Sequence, residues 1–263
     1  MLSEQTPPNN LQAALKLAAN DWPVFPCIET RGDRAKSPYT KNGFHDATTD
    51  PGQIRIWWEY KPAALIGIAI PAWLMVIDID PRNGGSRAAL EEKTGPLPTT
   101  LTCWSGRGDG GQHLWFVRPK GDLTGTKLPP GVDLKDGGRG YVIAPPSLHP
   151  DSGLAYWEED EDTRDPACTP YRLYELLKLD LSHTGRFLKL SDGDDDFSQL
   201  LNWVADTPEG CRNDYTFYAA CRLAEKGALE SHQEALLEAA LSTGLSEREV
   251  QTCIESARRR VNA

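Results

Sequence analysis

In the first segment, "NNLQAALKLAAND", Leu11, Ala14, Leu15 and Ala18 fall at i, i+3, i+4 and i+7. That spacing predicts an amphipathic helix with Asn10 as its N-cap. "WPVFPCI" follows as a short strand edged by prolines. In "TTDPGQIRIWWEYKP" the Asp50-Pro51 pair supplies a cap and a first-turn proline for a second helix. Two β-rich runs come next, "ALIGIAI" and "WLMVIDID", divided by a Pro71-Ala72 turn. Between residues 99 and 147 the runs "TTLTCWS", "QHLWFVRP", "VDLKDG" and "GYVIAPPS" are again strands, punctuated by Gly and Pro. "PYRLYELLKL" is a short helix, and "SHTGRFLKLSDGDDD" reads as a linker.

Beyond residue 197 the pattern is helical throughout. "FSQLLNWVADTPEGCRNDYTFYAACRLAEKG", "SHQEALLEAALSTG" and "SEREVQTCIESARRR" predict a small bundle. Capping boxes mark two starts, Ser231 with Glu234 and Ser246 with Glu249, while Gly227 and Gly244 stop the preceding helices. Val250, Cys253, Ile254 and Ala257 form one apolar stripe on the last helix.

At 263 residues the chain buries a sizeable core as one large domain or as a large and a small one. No apolar run approaches the roughly 18 residues of a membrane span. The first twenty residues have acids and prolines where a secretory signal has a basic region and an apolar core. A cytoplasmic location with no membrane partner is therefore expected. The six cysteines include no C-x-x-C pair, which argues against a zinc site and a disulfide framework and for reduced, packed thiols. A net charge of -10 does not favour a protein that coats nucleic acid, but much of the acid sits in "WEEDEDTRD" and "SDGDDD", so a local basic groove is compatible with it.

Candidate chemistry gathers at three places. In "WLMVIDIDPRNGG" an apolar strand ends on Asp78 and Asp80; residues two apart share a face, so the carboxylates project together. Such a pair repels itself unless a cation compensates, and an oxygen-rich pair suits Mg²⁺ or Mn²⁺. In "TCWSGRGDGGQHLWF" a glycine loop with Ser105 and Arg107 leads into a strand opening on His113. Glycine loops admit phosphates to backbone N–H groups, Arg107 offers a bidentate contact, and His113 can hydrogen-bond a triphosphate. In "GVDLKDGGRGYVIAPPS" Asp133 is a third candidate acid, with Asp136 as an alternative that spacing alone does not exclude; Arg139 lies on the next glycine turn. Lys36, in "AKSP", is a further basic candidate.

In order along the chain, "LAANDWPVFPC", "AKSP", "TTDPGQIRIWWEYKPAALIGIAI", "VIDIDPRNGG", "SGRGDGGQHLWF" and "VDLKDGGRGYVIAPPSLHPDSG" resemble the primase–polymerase (Prim-Pol) domain of the archaeo-eukaryotic primase superfamily, in its phage and plasmid replication form. The likeness covers about residues 11–157. It implies an α+β fold, a mixed, antiparallel-sheet catalytic domain over 1–180, with an acidic linker at 181–196 and an all-α helical module at 197–263. It implies that Asp78, Asp80 and Asp133 bind catalytic Mg²⁺ or Mn²⁺, and it selects Asp133 over Asp136. His113, Ser105, Arg107 and Lys36 would hold the nucleotide triphosphate. One departure stands out: "GDGGQ" separates Arg107 from His113, where the family has a compact Ser-Gly-Arg-His run.

The tail resembles the helical module that follows Prim-Pol domains in phage primases, which implies template engagement and primer initiation. The expected function is a DNA primase and polymerase using NTPs or dNTPs on single-stranded DNA by two-metal phosphoryl transfer, in the host cytoplasm if phage-encoded. A helicase domain or a replisome component is a candidate partner, and the sequence is compatible with a whole protein as well as with the front of a longer primase–helicase. The alternatives are a non-catalytic replication initiator or single-strand-binding module, and a metal-dependent nuclease. A His-x-His nickase is not favoured, since none of the five histidines is so paired.

Overall fold

A computed structural model describes residues 9–158, 165–179 and 197–261. The expected acidic linker at 181–196 and most of the "WEEDEDTRD" patch lie outside the described residues. The chain divides into two compact units, Met1–Arg118 with Gly125–Ala167, and Pro119–Thr124 with Cys168–Ala263.

The first unit is built on antiparallel sheets. β1 (Val24–Cys27), β2 (Leu65–Ala69) and β7 (Tyr141–Ile143) form a small sheet with β2 in the middle. The larger sheet runs β6 (Val132–Asp136), β3 (Leu74–Ile79), β5 (Gln112–Val117), β4 (Thr102–Trp104), β8 (Trp157–Glu158). All four neighbouring pairs on that path are antiparallel. Helices α1 (Asn10–Ala18) and α2 (Pro51–Tyr60) contribute Ala14, Ala18, Ile54 and Trp58 to a core shared with Ile66, Ile68, Leu74, Val76 and Trp115. Val76 and Leu74 face that core from the same side of β3 that carries Asp78, because side chains alternate along a strand. The strand is thus anchored by its apolar residues and releases a carboxylate only at its end.

Local signals account for most starts and stops. Asp50 caps α2, its carboxylate accepting from Gly52 N at 3.0 Å and Gln53 N at 3.2 Å. For α1 the cap is Asn9 rather than the expected Asn10, which instead turns inward and donates from Nδ2 to Ala64 O at 2.9 Å. A helix unread in the sequence, α3 (Arg87–Thr94), follows an N-cap at Ser86.

Gly67 shows how closely the small sheet packs. A β-carbon there would stand 2.5 Å from Phe25 Cζ and 2.8 Å from Cys27 Sγ. Gly67→Ala is therefore expected to destabilise the protein by about 1–3 kcal/mol through overpacking, read as a lower midpoint in denaturant unfolding.

The second unit is helical: α4 (Tyr171–Leu177), α5 (Ser198–Ala205), α6 (Arg212–Glu225), α7 (Leu229–Ser242) and α8 (Glu247–Val261). Val250, Cys253, Ile254 and Ala257 are buried as one stripe of α8. Trp203 stacks on Tyr215 with ring centroids 3.7 Å apart. Glu249 closes the expected capping box, accepting from Ser246 N at 2.8 Å. The box expected at Ser231 does not form: α7 begins two residues earlier, and the Ser231 hydroxyl donates back to Ala228 O at 3.0 Å. The expectation of six reduced thiols is also corrected. Cys168 and Cys211 form a disulfide with Cα atoms 5.6 Å apart, while Cys27, Cys103, Cys221 and Cys253 are free and buried. The bonded pair lies 43 residues apart in sequence, so only folding shows that they meet.

Candidate active site

Three adjacent strands of the larger sheet place three chemical side chains in one row. Asp78 on β3 has His113 as its register partner on β5 and Asp133 as its partner on β6. Residues directly opposite in antiparallel strands share a face, so the imidazole and the second carboxylate flank Asp78 on either side. His113 Nε2 lies 3.7 Å from Asp78 Oδ1. Lys135, two residues beyond Asp133 and on its face, sends Nζ to 3.5 Å from Asp78 Oδ2 and 3.9 Å from Asp133 Oδ2.

This row borders a cleft of about 390 Å³ lined by Lys36, Asp78, His113, Lys135, Arg139 and Tyr156, among others. Asp133 itself does not line it, standing 65% exposed beside Lys135. Lys36 comes from a loop residue with φ of 67°, and its ammonium stands 5.7 Å from the centre of the Tyr156 ring. Tyr156 stacks with two histidines, His113 with centroids 6.3 Å apart and His149 with centroids 5.9 Å apart. Burial is the chief cause that lowers the Lys36 pKa from its ordinary value, with the Arg82 charge adding to it.

Asp136, the alternative acid, is committed elsewhere. Arg118 grips it from Nε at 2.6 Å and from Nη2 at 3.1 Å, and Arg139 adds a contact at 3.8 Å. Being odd in the β6 register relative to Asp133, it points to the other face of the sheet.

Asp80, Ser105 and Arg107 form a second group, outside the cleft lining. Asp80 stands one residue past β3 and caps a tight turn, accepting from Arg82 N at 3.1 Å and Asn83 Nδ2 at 3.0 Å. Its Oδ1 is 3.9 Å from Arg107 Nη1, whose Nε is 3.6 Å from Asp109 Oδ2. The Ser105 hydroxyl accepts from Arg107 N at 3.3 Å, and Ser105 N donates to Gly111 O at 2.8 Å, which closes the glycine loop.

Several buried polar atoms near the cleft lack a hydrogen-bond partner: His113 Nδ1, His149 Nε2 and Arg107 Nη1. Unpartnered buried polar atoms are costly, and a cluster of them marks a place where a polar ligand completes the bonding. Burial lowers the pKa of both His113 and His149, with the Asp78 charge opposing it at His113. The neutral rings are thus favoured in the folded state, whereas the unfolded chain takes up protons near pH 6.5. The stability these groups contribute is present above about pH 6.5 and is lost as pH falls through their lower folded values. Thermal unfolding followed from pH 7.5 down to pH 5 is expected to show this fall, and His149→Asn to make it shallower.

Sequence reasoning missed Lys135, Tyr156 and His149. Lys135 was legible as a residue two beyond Asp133 on one strand face. The other two sit in "SLHPDSGLAYW", where no periodicity signals a role.

Among the described residues, no group of three His, Cys, Asp or Glu side chains stands ready to hold a metal ion. Asp78 and Asp133 nevertheless fit one cation, because the Lys135 ammonium already stands between their carboxylates. A pair of carboxylates beside a cleft is a donor set for a hard divalent ion.

The family described as "Bifunctional DNA primase/polymerase, N-terminal" matches residues 14–172. The chain belongs to the Prim-Pol family. A second match, to "Primase C terminal 1 (PriCT-1)", covers residues 201–263. No curated protein matches the chain. The Prim-Pol match spans the strands that carry Asp78, His113 and Asp133, and Lys36 and Tyr156 as well. The chain is thus of a replication primase/polymerase family, with DNA template and nucleotides as the substrates that the family implies. No helix among the described residues is long and apolar enough to cross a membrane.

Proposed function

We propose that the protein is a DNA-templated nucleotidyltransferase that starts primers on single-stranded DNA and extends them with NTPs or dNTPs. The observation that carries this reading is the row His113–Asp78–Asp133 on adjacent strands beside a cleft that also holds Lys36. It combines a carboxylate pair suited to a cation with a neutral imidazole and an ammonium suited to phosphate.

Asp78 and Asp133 would hold Mg²⁺ or Mn²⁺. When bound, such an ion neutralises the charge that develops in phosphoryl transfer and lowers the pKa of an attacking hydroxyl. Asp80 is the third carboxylate, and its hydrogen bonds to Arg82 and Asn83 must open before it joins.

The chain's own groups bind and orient the nucleotide. Lys36 brings a positive charge to the cleft, and His113 Nε2, 3.7 Å from Asp78 Oδ1 and so beyond hydrogen-bond range of it, has an N–H to offer a phosphate oxygen. Arg107 and Ser105 stand at the edge on the glycine loop, with Gly108 and Gly110 at positive φ bending it. Tyr156 keeps the His113 ring in place by stacking.

The test is incubation with circular single-stranded DNA, labelled nucleotides and Mg²⁺ or Mn²⁺, with and without an annealed primer. Product without a primer supports the proposal and shows the preferred sugar. Extension of a supplied primer alone restricts the function to polymerase. Degradation of the DNA would favour a nuclease. DNA binding without synthesis or cleavage would favour an initiator module.

A further inference from the structure

The cation between the two acids is itself a part of the molecule. Across the β3–β6 pair, Asp78 faces Asp133 and Val76 faces Lys135, so the lysine leaves the sheet one step along from the acids and on their face. Its ammonium reaches 3.5 Å from one carboxylate and 3.9 Å from the other. Among the described residues no other lysine or arginine is paired with either acid. The second group of acids differs: Asp80 is held by Arg82, Asn83 and Arg107, and Asp136 by two arginines.

Like charges directly opposite on paired strands repel, and the ammonium relieves that repulsion. It cannot do so while a divalent ion takes the same place. The lysine stem is flexible, its head is strongly hydrated, and the side chain is 35% exposed, so it can swing out to water. An arginine fixed by two parallel hydrogen bonds, like Arg118 on Asp136, could not leave so readily.

We infer that Lys135 is a resident counter-ion that keeps Asp78 and Asp133 together without metal, and that a divalent ion enters only by displacing it. Lys135 thereby sets the concentration at which the site fills. The inference rests on reading Asp78 and Asp133 as the metal ligands. Its consequence is a trade: the lysine stabilises the empty site and weakens metal binding.

The experiment measures Mn²⁺ binding by the paramagnetic resonance of the free ion, with neither nucleotide nor DNA present. Lys135→Met is expected to bind Mn²⁺ about tenfold more tightly than wild type, equivalent to about 1.4 kcal/mol. Lys135→Gln is expected to do the same and serves if the methionine variant does not fold. Lys135→Arg, which keeps the charge on a head that leaves less readily, is expected to bind Mn²⁺ no more tightly than wild type. Arg139→Met removes a cation lining the same cleft, one paired with Asp136, and is expected to leave Mn²⁺ affinity unchanged.

Without metal, Lys135→Met is expected to unfold about 2–4 °C below wild type, and Mn²⁺ to raise its midpoint by more. Equal or weaker Mn²⁺ binding by folded Lys135→Met overturns the inference and leaves the metal reading standing. An equal gain in Arg139→Met overturns it too, since the effect would then be general charge. Absence of Mn²⁺ binding in both wild type and Lys135→Met overturns the metal reading and the inference with it.

Discussion

Purified Asp78→Asn protein is expected to incorporate no detectable nucleotide, a loss of about a thousandfold or more, which corresponds to about 4 kcal/mol of transition-state stabilisation. Asp78 stands at the centre of the row, with His113 on one side, Asp133 on the other and the Lys135 ammonium 3.5 Å away. Asparagine keeps the shape and removes the charge, so a cation held by two carboxylates would be left with one. The fold should survive, because the strand is anchored by Leu74 and Val76 in the core, both fully buried, and not by the carboxylate. Unchanged circular dichroism with lost incorporation is the expected pair of results. Activity retained in the folded variant would exclude Asp78 as a ligand of the catalytic ion.

His113→Gln is expected to raise the KM for nucleotide by roughly 10–100-fold, the range of a lost hydrogen bond to a charged group, with a smaller change in kcat. The imidazole borders the cleft with Nε2 3.7 Å from Asp78 Oδ1, beyond hydrogen-bond range, so its N–H would meet a nucleotide phosphate as a donor already in place. The reading also explains the stacked Tyr156, which fixes the ring plane. Steady-state kinetics on a primed template separate the two parameters. A fall in kcat at constant KM would instead place His113 at the reacting atoms.

How far the site could be read from sequence depended on where each signal lies. Asp78 was legible because a continuous apolar run breaks into carboxylates only at its end, and Asp50-Pro51 because both cap and proline act locally. Helix α3 escaped notice because Leu90 and Thr94 are its only buried residues, too few to make an apolar stripe. Ser231 and Glu234 carry the spacing of a capping box, yet α7 starts at Leu229, and a serine inside a helix bonds back to a carbonyl. The partner of Asp78 on β6 was undecided between Asp133 and Asp136 because only strand register separates them. The Asp80 carboxylate shares its strand face with Asp78 in the sequence pattern, but the turn at Pro81 recruits it as a cap. Cross-chain meetings such as Cys168 with Cys211, or Tyr156 with His113, leave no mark on local sequence at all.

The two acids of β6 divide the work, Asp133 facing Asp78 and Asp136 bound by arginine on the other face, and a pair of variants separates them. Asp133→Asn and Asp136→Asn proteins, both verified as folded, are assayed for Mn²⁺-dependent nucleotide incorporation on primed single-stranded DNA. Asp133→Asn is expected to lose incorporation, while Asp136→Asn, whose acid is bound by Arg118 on the far face, retains it at lower thermal stability. Full activity in Asp133→Asn with loss in folded Asp136→Asn would contradict the account, because the register that places Asp133 beside Asp78 would then not be the one that forms the site.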